Sequence, residues 1–135
     1  MIEKIDHLGI AVRNLDDSLR LYKEIFGLEL VSIEEVAGQQ VRVGMLSVGE
    51  SKIELLESTT TDGPIARFIE SKGEGIPHIA LRVDDIRATL AALKAKGVAL
   101  INEKAVPGAH GTLVAFVHPK ATGKVLIELC EHPEG

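Results

Sequence analysis

Aromatic residues are nearly missing from this chain: there is no Trp, one Tyr and three Phe among 135 residues. Basic residues are not in excess either. Fifteen Lys and Arg stand against twenty Asp and Glu, a net charge of −5 (15 − 20), and no Lys/Arg run is present. Nucleic acid is therefore not an expected partner, since such partners call for a basic face and stacking platforms. The single cysteine, Cys130, cannot form an internal disulfide. With no apolar core of a secretory signal at the N-terminus, the chain reads as cytoplasmic. No apolar run approaches the roughly 20 residues needed to cross a bilayer, so no membrane is expected. What remains is a chain of one domain's length, 45% hydrophobic, enough to build a core.

The chain contains an internal repeat. His7 in Ile5-Asp6-His7-Leu8-Gly9-Ile10-Ala11-Val12 matches His78 in Ile76-Pro77-His78-Ile79-Ala80-Leu81-Arg82-Val83, a shift of 71 (78 − 7). The same shift pairs Val12 with Val83, Leu15 with Ile86, Leu19 with Leu90 and Lys23 with Lys94. After a slip of one residue, Gly27-Leu28-Glu29-Leu30 matches Gly97-Val98-Ala99-Leu100. Glu54 in Lys52-Ile53-Glu54-Leu55-Leu56 matches Glu128 in Leu126-Ile127-Glu128-Leu129 at a shift of 74 (128 − 54). Self-similarity on this scale means two copies of one supersecondary unit.

Local signals define that unit. Alternation over 4–12 predicts a strand; Asn14 is a suitable helix N-cap with Asp16 and Asp17 in the first turn, and Leu15, Leu19, Tyr22 and Phe26 mark one helical face ended by Gly27. Strands follow over 29–35, 40–48 and 52–57, giving βαβββ. Module one spans about 1–57. A linker over about 58–75 holds a short helix begun by Pro64. Module two, about 76–135, repeats the plan: a strand over 77–83, a helix over about 85–96 capped by Asp84 and closed by Gly97, and strands near 98–103, 112–118 and 124–131. The expected architecture is one α+β domain over 1–135. Its two βαβββ modules pair side by side into an incomplete barrel, because neither curved sheet buries both faces alone.

In that arrangement His7 and His78 enter the cleft from the two first strands, and Glu54 and Glu128 from the two last. A lone His or Glu on a strand is more often a hydrogen-bonded or solvated side chain. Both residue types at equivalent points of both halves, within apolar runs where an uncompensated charge is costly, point instead to one metal ion per chain. Two imidazoles and two carboxylates suit Zn, Co, Ni, Mn or Fe and leave positions for water or substrate. The other histidines do not match the repeat; His110 in a Gly-rich loop and His118 before Pro119 are the two that could border the cleft mouth, which is the less favoured reading of each. His132, in the tail, is expected to be solvated.

The paired units with their His, Glu, His, Glu set resemble the vicinal oxygen chelate superfamily, over nearly the whole chain. Within it, Gly73-Glu74-Gly75-Ile76-Pro77-His78-Ile79-Ala80 and above all His118-Pro119-Lys120 followed by Gly123-Lys124-Val125-Leu126-Ile127-Glu128-Leu129 are similar to the methylmalonyl-CoA epimerase family. Pro77 departs from that pattern, where similar epimerases usually carry a second His. The resemblance implies exchange of the C2 proton of a CoA thioester through an enolate, with cobalt favoured among the metals and a homodimer as the usual assembly. It implies that Glu128 is the base and leaves Glu54 as a second one. The tail of such a substrate is expected to leave the cleft over Gly108, His110 and Gly111, whose backbone N–H groups can approach a ligand closely, with Lys120 and Lys124 either partners for phosphate or carboxylate or simply solvated on their loop. Two alternatives share the fold. Glyoxalase I uses the same tetrad on a glutathione hemithioacetal, and non-catalytic small-molecule binders usually lose the metal residues that this chain retains.

Overall fold

The computed structural model describes residues 1–133. The chain divides into two compact units, His7–Pro77 and a second comprising Met1–Asp6 with the chain from His78 onward. The boundary falls within strand β1 (Ile2–Ala11), whose first five residues count with the second unit and whose last five count with the first.

In the unit 7–77, β1 is followed by helix α1 (Leu15–Leu19), a π-helical continuation (Arg20–Ile25), and strands β2 (Glu29–Val36), β3 (Val41–Val48) and β4 (Ser51–Ser58). The strands lie in the order β2-β3-β4-β1, with β1 parallel to β4 and the other pairs antiparallel. Helix α1 starts as expected: the Asn14 side chain accepts from the Asp17 amide at 2.9 Å. A second acceptor comes from β4, where Glu57 takes the Leu15 amide at 3.1 Å. The buried face of α1, Leu15 and Leu19, packs on Val12, Leu46 and Leu55. Helix α2 (Pro64–Lys72) has Pro64 in its first turn and places Ile65 against Ala11, Val41, Val43 and Leu56.

The second unit continues with β5 (Gly75–Val83, counted here from His78), helix α3 (Ile86–Ala95), β6 (Val106–Pro107), β7 (Leu113–Val117) and β8 (Ile127–Glu131). Its order β5-β8-β7-β6 repeats β1-β4-β3-β2, again with one parallel pair. The duplication is thus present in topology as well as sequence. The N-terminus of α3 repeats α1. Asp85, not Asp84, is the N-cap, accepting from the Ala88 amide at 3.0 Å, and Glu131 of β8 takes the Ile86 amide at 2.8 Å. Asp84 instead pairs with the chain start, its amide donating to the Met1 carbonyl at 3.2 Å. Ile86 and Leu90 pack on Val83, Ala115, Val117 and Leu129.

Two further expectations are corrected. The strand near 98–103 is reduced to an isolated bridge, Leu100 to Val117 at the end of β7, where the Ile101 amide donates to Phe116 and the His118 amide to Ala99, while Val106–Pro107 pairs with the start of β7 at Val114 and Leu113. A prolyl ring and a two-residue length keep this edge from propagating. The helix of the first module is also not α-helical to its end. The Phe26 amide donates to Leu21, five residues back, and the Leu28 amide to Tyr22 at 3.0 Å. In module two the matching bond runs from the Val98 amide to Leu93, also at 3.0 Å. Module one thus spans with six residues what module two spans with five. The one-residue slip in the repeat is an insertion absorbed as a π-turn. Both helices still close on a left-handed glycine, Gly27 at φ 78° and Gly97 at φ 79°, which another residue would adopt only with strain. No helix among the described residues is long and apolar enough to cross a membrane.

Candidate metal centre

The strand registers explain how each module aims a histidine and a carboxylate at one another. Glu54 on β4 lies opposite Gly9 of β1, two residues on from His7. Glu128 on β8 lies opposite Ala80 of β5, two residues on from His78. A separation of two keeps both side chains of a pair on one face of the sheet. The residue directly across from each carboxylate is Gly or Ala, so the carboxylate can lean over it toward the ring. As a result His7 Nε2 lies 3.4 Å from Glu54 Oε1, and His78 Nε2 lies 3.2 Å from Glu128 Oε1. The antiparallel neighbours differ: Met45 stands beside Glu54, and Phe116 beside Glu128. The Phe116 ring meets His78 edge-on, centroids 5.9 Å apart at 84°, and so fixes the imidazole plane.

All four side chains are buried: His7 is 3%, Glu54 7%, His78 8% and Glu128 6% exposed. Carboxylates so removed from water need a compensating positive charge. The distances fit two ligands of a common ion. Donor atoms held about 2.0–2.2 Å from one metal lie roughly 2.8–3.6 Å apart in octahedral or tetrahedral geometry. Neutral imidazole nitrogen and carboxylate oxygen also form a donor set that zinc, cobalt, nickel, manganese and iron all accept. Each pair is therefore suited to bind a divalent metal.

The other sequence-predicted residues lie in unit two. The loop before β7 is a tight turn: the Gly108 amide donates to the Thr112 carbonyl at 2.9 Å, and the Thr112 hydroxyl to Ala109 at 2.6 Å. A Cβ on Gly108 would lie 2.7 Å from Val114 Cγ1, so this glycine is required by packing. His110 and Gly111 have φ of 58° and 71° and are exposed. Lys120 and Lys124 are exposed on the segment before β8. His118 caps the short turn over Pro119–Ala121, accepting from the Lys120 amide at 3.1 Å.

His132 is not solvated as expected: its Nε2 lies 2.6 Å from Asp6 Oδ1, with Asp6 only 3% exposed. Sequence reasoning missed this pair, although Asp6 sits in the same apolar run as His7 and raises the same question of what compensates its burial.

Comparison with known proteins agrees with this geometry. The model of the Glyoxalase/Bleomycin resistance protein/Dioxygenase superfamily matches residues 6–116. An uncharacterised Bacillus subtilis protein is 39% identical, covering 99% of this chain and 95% of its own. The human mitochondrial methylmalonyl-CoA epimerase is 37% identical over 93% of this chain and 72% of its own. A variant of the Streptomyces coelicolor methylmalonyl-CoA epimerase, solved in complex with 2-nitronate-propionyl-CoA, is 33% identical with a TM-score of 0.95, covering 99% of this chain and 97% of its own. With its duplicated βαβββ units and a buried His–Glu pair in each, the chain belongs to the methylmalonyl-CoA epimerase family of the glyoxalase/bleomycin resistance/dioxygenase superfamily.

Proposed function

We propose that this protein interconverts (2R)- and (2S)-methylmalonyl-CoA, using one divalent ion per chain held jointly by His7, Glu54, His78 and Glu128. The observation that carries the reading is the duplication of a buried His–Glu pair at ligand spacing on equivalent strands. Cobalt is the ion that the family resemblance favours.

The proton on C2 lies between a thioester carbonyl and a carboxylate, so its removal leaves an enolate whose charge sits on oxygen. A bound divalent ion would supply Lewis-acid stabilisation of that charge. The proton itself falls to the side chains. Glu128 takes it, its carboxylate held in place by the ring that Phe116 orients. Its return on the opposite face needs a second group or a mobile first one. The stretch Gln39-Gln40-Val41-Arg42-Val43 holds no carboxylate, and the Arg42 guanidinium is engaged by Glu57 at 3.5 Å. Glu54, with apolar Met45 as its β3 neighbour, is then the second base. The CoA tail runs past His110 and Gly111 on the turn that Gly108 permits. Lys120 and Lys124, exposed cations on a protein of net charge −5, supply local attraction for phosphate. The family also suggests a homodimer, which light scattering of the purified protein checks.

The test is metal analysis of the purified protein combined with NMR of C2 proton exchange on methylmalonyl-CoA in deuterated water. One ion per chain that depends on His7 and His78, together with fast exchange, is expected. His7→Ala and His78→Ala should each strip the ion, since a three-ligand remnant holds it far less well. Full occupancy in both variants would refute the shared site. Formation of S-lactoylglutathione without C2 exchange would make the protein a glyoxalase.

A further inference from the structure

Three metal-binding side chains lie together in the second unit and have no part in the chemistry above. Asp6 of β1, Cys130 of β8 and His132, the residue after β8, each offer one donor atom, and these atoms all lie within 4.8 Å of one another. Asp6 and Cys130 are 3% and 2% exposed, whereas the His132 side chain is 23% exposed. The cluster is thus walled on two sides and open on the third, where an ion can enter and a water can complete the coordination.

We propose that Asp6, Cys130 and His132 form a second metal site, selective for a borderline divalent ion of the zinc or cobalt kind. One sulfur, one nitrogen and one oxygen donor form a set that zinc accepts, and three protein ligands plus an open position is a recurrent zinc arrangement. The His–Glu pairs contain no sulfur, so the two sites differ in softness and in spectrum. Loading requires little movement. The Asp6–His132 contact of 2.6 Å opens to the roughly 3.4 Å expected of two ligands on one ion. The Cys130 thiol gives its proton to solvent as the thiolate–metal bond forms. Once loaded, the site fastens the segment after β8 to the first strand.

Cobalt(II) titration of the whole chain provides the test, because the lone cysteine is the only source of a thiolate-to-cobalt charge-transfer band in the near ultraviolet. The band is expected in the wild type, complete by two equivalents of cobalt because the His–Glu site takes the other ion, and is expected to persist in the His7→Ala/His78→Ala double variant, where it saturates at one equivalent. It should vanish in Cys130→Ser, and His132→Ala should bind cobalt at this site at least about tenfold more weakly, a lower bound set by the effect of losing even an indirect partner of a metal ligand. A wild-type titration without the band, or a band surviving Cys130→Ser, would overturn the proposal. The wild-type spectrum decides even if the serine variant fails to fold.

Discussion

Removing one residue from the π-turn of module one should leave the protein intact, whereas removing one from the regular helix of module two should not. Glu24 is exposed and lies between Tyr22 and Leu28, the two ends of the six-residue hydrogen bond. Without it that bond spans five residues, as the bond from Val98 to Leu93 already does, and the residues on either side keep their places. Ile25 and Phe26, which would rotate, are 70% and 60% exposed, so the contact at stake is the edge-on packing of Phe26 on Tyr22, with centroids 5.5 Å apart. The expected cost of deleting Glu24 is below about 1 kcal/mol. Ala91 is exposed too, but α3 has no spare residue there. Its loss turns everything downstream by about 100° relative to Ile86 and Leu90. Leu93 and Val98, which turn together and keep their mutual hydrogen bond, then leave the cluster around Val83, Ala115 and Leu129. Losing part of the burial of a leucine and a valine costs roughly 3 kcal/mol together. For a domain of this size that is a fall in Tm of about 10 °C. Thermal unfolding followed by circular dichroism reads both variants. If deleting Glu24 lowers Tm as much as deleting Ala91, the reading of the π-turn as a neutral insertion is wrong.

Other perturbations address the site and its supports. Glu128→Gln should retain part of its metal while C2 proton exchange falls about 100-fold or more, and Glu54→Gln should lose less; occupancy must be measured in each, and the reverse order in metal-replete proteins would exchange the two roles. Gly108→Ala should destabilise by about 1–3 kcal/mol in urea unfolding, because its Cβ would meet Val114 Cγ1 at 2.7 Å and Thr112 Oγ1 at 2.8 Å. Glu131→Ala should cost about 1.5–3 kcal/mol by leaving the Ile86 amide without its charged acceptor, and Glu131→Gln, which keeps an acceptor oxygen, should cost clearly less; equal losses would show that the neutral acceptor contributes nothing and that the carboxylate charge carries the whole effect.

The repeat makes the core of this fold legible in the sequence, and it also resolves some of the places where the structure departs from local signals. The shift that pairs Leu15 with Ile86 also pairs Asn14 with Asp85, so the true cap of α3 was available. Asp84 was preferred because either aspartate makes a plausible cap when judged alone. Glu57 and Glu131 share the 74-residue shift of Glu54 and Glu128, and each accepts from the first amide of its module's helix. Each last strand thus carries one carboxylate for the site and, three residues on and on the opposite face, another for the helix. The π-turn was present as a slip of one residue, but only the hydrogen bonds show that the helix, rather than the loop, absorbs it. The strand near 98–103 could not be corrected in this way. Val98, Ala99 and Leu100 have strand-like character and reach the end of β7, yet the pairing stops at a single bridge and the outer strand resumes only at Val106–Pro107, a tertiary choice that local propensity does not report. Asp6 and His132 fall outside the repeat altogether, having no counterpart in the other module. Their pairing could be sought only by asking of Asp6 what was asked of His7: what compensates a charge inside an apolar strand.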